Sequence, residues 1–224
     1  MSIKTERARD PYDALRPWSA ITHGFGALLG LMAVPFLLLR AYASRLPWAV
    51  PAVAVYLLTL VSLYTASTLY HSLRTGVQGR IALRKIDHLN IYFLIAGTYT
   101  PFCVLALDGA LGIALLAVIW GLALLGTALK LVWINLPRWL TTTLYLLMGW
   151  IVIGAVYPLS RALGATGTFW LLFGGVLYSI GGVLYAVKWP GRDNPRFGCH
   201  EIFHLFILLG SLSQFVAVLY AVSP

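Results

Sequence analysis

The sequence predicts an all-α fold: a seven-transmembrane helix bundle with its N-terminus in the cytoplasm and its C-terminus outside. Three observations carry that prediction. Hydrophobic residues make up 60% of the 224-residue chain and charged residues only 10%, against roughly 25% charged in an average soluble domain. The chain holds seven apolar runs, each near the roughly 20 residues that an α-helix needs to cross about 30 Å of hydrocarbon. Lys and Arg are distributed unevenly about those runs. Thirteen fall on the side shared by the N-terminal arm and the connections after the second, fourth and sixth runs, and three on the other; basic residues are retained on the cytoplasmic side.

In order, a charged cytoplasmic arm over 1–17 precedes a single integral membrane domain over 18–224, with spans at 18–39, 48–71, 88–107, 110–133, 139–160, 168–187 and 200–222. No remaining stretch is long enough to bury a soluble core of its own. The first run, Trp18 to Leu39, is followed by the small-residue stretch Ala41-Tyr42-Ala43. It is nevertheless a span and not a secretory leader, because a leader core has roughly 7–15 residues. Trp18, Trp48, Trp133, Trp139, Trp170 and Trp189 fall at or just beyond span ends, where amphipathic rings sit at headgroup level. Gly174, Gly175, Gly181 and Gly182 let a neighbouring helix approach the sixth span closely. The net charge of +9 is spread over span ends and forms no patch with interleaved aromatics, so it points to topology and to no nucleic acid. Cys103 and Cys199 lie near opposite faces of the membrane, beyond the roughly 7 Å that a disulfide spans between Cα atoms, which predicts two free thiols.

Against this apolar background the polar residues stand out. Phe197-Gly198-Cys199-His200-Glu201-Ile202-Phe203-His204 opens the last span, and His200 and His204 are one turn apart on one helix face. H-E-x-x-H is the pattern in which two histidines bind zinc and the Glu acts as base. It is also short, and a His pair at an interfacial helix start can simply hydrogen-bond. Ser67 and His71 share a face at the end of the second span. The hydroxyl suits back-bonding to the preceding turn, while the imidazole could supply a third nitrogen to the His200/His204 pair, leaving one tetrahedral position open. Lys85-Ile86-Asp87-His88 enters the third span, with Asp87 placed to cap that helix. His23, His71, His88, His200 and His204 all lie near cytoplasmic span ends, and Asp87 and Glu201 join them. Ionisable residues at that depth are costly when isolated and mark functional sites.

Ser67-Thr68-Leu69-Tyr70-His71, Asp87-His88 with Ile95-Ala96-Gly97-Thr98-Tyr99-Thr100-Pro101-Phe102, and the block from Phe197 to His204 resemble the diagnostic blocks of the hemolysin III family, the bacterial branch of the progestin and adipoQ receptor (PAQR) family. Thr22-His23-Gly24 and Gly174-Gly175-Val176-Leu177-Tyr178 extend the resemblance over nearly the whole chain. It implies a zinc ion held by His71, His200 and His204, with Ser67 and Asp87 beside it and Glu201, His23 and His88 as secondary residues. It also implies a multipass protein of the bacterial cytoplasmic (inner) membrane, acting on or sensing a membrane lipid. Two positions depart from the family pattern. Tyr64 stands where receptor relatives have Glu, and Gln214 where bacterial relatives often have His. Three functions follow from the resemblance: a ceramidase-like zinc-dependent hydrolase of a lipid amide or ester in membrane lipid homeostasis, a metal-stabilised sensor or homeostasis factor without turnover, and a pore-forming cytolysin. A pore would want a polar stripe through several spans, yet their outer halves are largely Leu, Val, Ala and Gly. Among the carboxylates, Asp87 is the expected acid-base group and Glu201 the expected cap of the seventh helix.

Overall fold

A chain this apolar has no water at membrane depth to satisfy its backbone, so peptide groups must be bonded within helices. The computed structural model describes residues 15–107, 109–133, 137–192, 194 and 197–223, and its regular structure is entirely helical. The helices are α1 (Pro17–Ala43), α2 (Ala49–Ser72), α3 (Val77–Pro101), α4 (Gly109–Val132), α5 (Arg138–Trp150), α6 (Val156–Val187) and α7 (Cys199–Ala221). Among the described residues, six helical stretches are long and apolar enough to cross a membrane, one of them the 49-residue stretch Trp139–Val187. Most of the expected arm lies outside the described residues. Pro17 opens α1, a position where its missing N–H costs nothing.

The helices α1, α2, α3, α5, α6 and α7 close a ring: α1 packs on α2 and α7, α2 on α3, α3 on α5, and α6 on both α5 and α7. Helix α4 packs mainly on α3, with a lighter contact to α5. Met32, Leu39, Leu58, Ile113 and Leu147 are exposed, whereas Ser19, His23, Ser67, His71, Lys130 and Glu201 are buried. Apolar outside with polar groups gathered inside is the arrangement that lipid contact demands. The glycines of α6 do allow close approach: a Cβ on Gly181 would come within 2.6 Å of Phe206 on α7. Cys103 and Cys199 are both free and buried.

Two boundaries differ from the sequence reading. Helix α3 begins at Val77, eleven residues before the apolar run. Hydropathy detects lipid contact and not helix, and the polar first turns continue the same hydrogen-bond ladder. Asp87 is therefore interior to α3, and the helix-capping role expected for it is overturned. Next, the expected connection after residue 160 is a kink inside α6 at Gly164, whose φ of 67° suits glycine. The break comes earlier, where α5 gives way to a 3₁₀ segment, Ile151–Ala155. There the Tyr99 hydroxyl lies 3.0 and 2.7 Å from the Met148 and Gly149 carbonyls and accepts from the Val152 N–H at 2.8 Å. A neighbouring side chain thus satisfies backbone groups that the break releases. Just past Tyr99, α3 ends in a π-helical turn, Phe102–Ala106, within the expected span 88–107.

Candidate metal centre

Two helix ends meet at one end of the bundle and bring the histidines together. His71 comes from the last turn of α2, His200 and His204 from the first turns of α7. Their ligand nitrogens all lie within 4.8 Å of one another, so the trio could hold a metal ion. Two nitrogens each about 2.05 Å from a tetrahedral ion are about 3.3 Å apart. The 3.2 Å between His71 Nε2 and His200 Nε2 has that spacing, and a small movement of the third ring would complete the set. An all-imidazole donor set suits zinc, copper, iron or nickel. His204 is oriented from behind. Its Nδ1 lies 3.3 Å from the Ser19 carbonyl, which can only accept, so Nδ1 carries the proton and Nε2 keeps the lone pair.

His23 of α1 stacks on His204 with ring centroids 3.5 Å apart and planes 8° from parallel. It is buried, and neither ring nitrogen has a hydrogen-bond partner among the described residues. His88 faces the same space from α3, joined there by Ser67, Asp87, Tyr145 and Tyr185 around a cavity of about 220 Å³. Ser67 donates a hydrogen bond to the Asp87 carboxyl. The hydroxyl thus engages a side chain across the helix interface, beyond the local back-bonding that helical serines favour.

Glu201 is placed differently from Asp87. It is buried and accepts from Arg16 at 2.9 and 3.1 Å, from Ser19 at 2.9 Å and from the Gly198 N–H at 2.9 Å. Four contacts make it a fastener between the start of α1 and the start of α7, and the Gly198 bond caps α7. The two departures from the family pattern are also structural. The Tyr64 hydroxyl lies 2.8 Å from Ser211 Oγ and 3.3 Å from the Ile207 carbonyl, and Gln214 Nε2 donates to the Leu171 carbonyl at 2.9 Å.

Sequence reasoning missed Arg84, Lys130, Tyr145 and Tyr185, all of which line the cavity. A signal existed for Arg84: it is four residues before His88 and shares its face, once α3 is known to begin at Val77. Lys130 was legible only as a charge inside an otherwise apolar run.

These features define a helical integral membrane protein whose interior carries a histidine trio able to hold a metal ion, beside a cavity that His200 and His204 line. The family described as haemolysin-III related matches residues 16–215, and the chain belongs to that family. It is 41% identical over 202 residues to the Hemolysin-3 homolog of Bacillus subtilis, covering 90% of this chain and 92% of that protein. It is 40% identical over 206 residues to Hemolysin-3 of Bacillus cereus, covering 92% and 91%. A shorter similarity, 41% over 49 residues, covers 20% of this chain and 16% of the ADIPOR-like receptor IZH2 of Saccharomyces cerevisiae. That similarity agrees with a place in the PAQR family.

Proposed function

We propose that this protein is a zinc-dependent hydrolase of a membrane lipid amide or ester, with His71, His200 and His204 as the metal ligands. The observation that carries the reading is that His200 and His204 of the trio line one cavity together with Ser67 and Asp87, with His71 directly behind them. Zinc, when bound, supplies a Lewis acid that polarises a carbonyl and acidifies water. The remaining work belongs to the chain. Asp87, held by Ser67, accepts the proton of the attacking water and returns it to the leaving nitrogen or oxygen. Ser67 positions the carboxylate and is not a nucleophile, since His71 is committed to the metal. Glu201, already accepting four contacts, is the structural carboxylate, which separates this site from the H-E-x-x-H proteases.

The reading includes topology. The 49 residues of Trp139–Val187 would extend about 74 Å as one helix, more than twice a bilayer's hydrocarbon thickness of about 30 Å. The breaks at Ile151–Ala155 and Gly164 support two passes and so seven crossings. The charge asymmetry supports a cytoplasmic N-terminus in a bacterial inner membrane, with the site in the inner leaflet. The name Hemolysin-3 belongs to the relatives. For this chain, cavity walls built largely from residues such as Leu94, Phe102, Leu171 and Ile207 favour an acyl chain over a water-filled pore.

The test is hydrolysis of inner-leaflet lipid amides and esters by the purified zinc-loaded chain. Turnover abolished by chelation and restored by zinc is expected; no turnover on any such lipid sinks the enzyme reading and leaves the sensor reading in its place. Orientation is tested separately with Ser72→Cys and Thr166→Cys reporters in a background lacking Cys103 and Cys199. An impermeant reagent applied from outside labels Thr166→Cys and spares Ser72→Cys; the reverse pattern inverts the topology.

A further inference from the structure

The hydrolytic reading uses the end of the cavity at the histidines and treats the rest as apolar wall. Farther along, several polar side chains in that wall are answered by the protein itself. Thr98 donates to the Leu94 carbonyl at 2.7 Å, Trp150 Nε1 donates to Ser179 at 2.8 Å, and Tyr99 serves the backbone at the α5 break. Gln214 on α7 is different. It lines the cavity and is 5% exposed. Its Nε2 donates to the Leu171 carbonyl at 2.9 Å, which fixes the end of the amide that is oxygen. That Oε1 has no hydrogen-bond partner among the described residues. An amide oxygen can only accept, and leaving it buried without a donor is costly.

Position and neighbours indicate what donor it takes. His200, Ile207 and Gln214 all line the cavity and recur every seven residues, so they form one stripe of α7. Gln214 lies ten residues beyond His204, about 15 Å at the helical rise. A second polar partner stands about one turn nearer the histidines. Tyr178 of α6 lines the cavity, and its hydroxyl is 2.9 Å from Ser211 Oγ, with either able to donate; Tyr64 donates to that same Oγ at 2.8 Å. Ser211 has a single proton. When that proton goes to Tyr178, the phenol's own proton is left for another acceptor. An ammonium group could only donate and a carboxylate could only accept, whereas a hydroxyl does both through one atom.

We propose that Gln214 and Tyr178 form a subsite for a hydroxyl carried in the middle of an acyl chain, so that the lipid this cavity selects has a mid-chain hydroxylated acyl group. The hydroxyl donates to Gln214 Oε1 and accepts from Tyr178, while the carbonyl end of the same chain lies at the histidines. This rests on the reading of the cavity as a lipid site and names its substrate class. Between the two polar ends the chain passes residues such as Leu94, Ile95 and Ile207, which offer it only apolar contact.

The experiment is a binding measurement on the full wild-type chain in an uncharged detergent. Stearic acid and the same acid hydroxylated at mid-chain are compared by the rise in Tm across a titration. Against apolar wall alone a buried hydroxyl weakens binding, so the sign of the difference is informative. The expected result is half-saturation by the hydroxy acid at about tenfold lower concentration than by stearic acid, the size of one hydrogen bond to a group otherwise left unpaired. In Gln214→Met that preference disappears while the response to stearic acid stays. Tyr178→Phe, which removes only the phenol oxygen, carries the test if Gln214→Met does not fold, and the preference falls there too. Equal binding of the two acids, weaker binding of the hydroxy acid, or a preference that survives both substitutions overturns the proposal and leaves Oε1 to water. An isomer hydroxylated at its methyl end gains nothing; an equal gain there overturns the mid-chain placement. If neither acid binds, the lipid reading of the cavity fails together with the proposal, whereas stearic acid binding without a hydroxyl preference sinks the subsite alone. Because these ligands contain no amide or ester, the outcome is independent of whether the chain turns over.

Discussion

Two polar regions interrupt this apolar bundle, and they differ in whether their groups are satisfied. At the α5 break, Tyr99 bonds the Met148 and Gly149 carbonyls and the Val152 N–H, and Trp150 Nε1 donates to Ser179 at 2.8 Å. The polar groups that the break exposes are answered on the spot. At the histidine end, three imidazoles crowd together, His23 has both nitrogens without a partner among the described residues, and Lys130 faces a cavity. Buried polar groups are nearly always paired, so the unpaired ones call for a ligand. The first region is scaffolding, and the second holds the groups for which the ligand site is proposed.

If that distinction is sound, mutations in the two regions should fail in different ways. The largest effect is expected from His200→Ala/His204→Ala, which removes two of three ligands and should abolish zinc binding by elemental analysis, and hydrolysis with it. Undiminished zinc in that variant would erase the contrast between the regions. Next in size is Asp87→Asn, expected to keep its zinc while losing 10²–10⁴-fold in rate, as loss of an acid-base group usually costs. Glu201→Gln provides the internal comparison: most turnover should remain, because its carboxylate fastens Arg16, Ser19 and Gly198. Abolished turnover there, with Asp87→Asn active, would hand the catalytic role to Glu201. The smallest effect on chemistry is expected from Tyr99→Phe. It strands buried backbone groups at a cost of about 1–3 kcal/mol, so Tm should fall while zinc content per folded chain stays unchanged.

The histidine end was legible in the sequence because its residues are chemically loud against their surroundings. His200 and His204 share a face by spacing alone, and Ser67 and His71 do the same on α2. The convergence of α2 and α7 was not readable from spacing, because it depends on how the ring of helices closes; the shared depth of the histidines made it an option and the family resemblance singled it out. The start of α3 was misplaced because hydropathy sees the lipid boundary, and with it went the true position of Asp87 and the inward face shared by Arg84 and His88. The α5 break was hidden for another reason. Residues 151–155, Ile-Val-Ile-Gly-Ala, look like ordinary span, and only the hydroxyl of Tyr99, roughly fifty residues earlier, shows where the helix opens. The sequence reads Glu201 as a cap, and the Gly198 bond agrees, but its ties to Arg16 and Ser19 join residues 185 and 182 positions apart and left no local trace.

The central claim is that His71, His200 and His204 bind one ion together, and X-ray absorption at the zinc edge of the purified chain tests it most directly. The account predicts three imidazole nitrogens at about 2.0–2.1 Å with one further light atom, and one nitrogen fewer in His71→Ala. A first shell containing sulfur, or a shell that His71→Ala leaves unchanged, would contradict it.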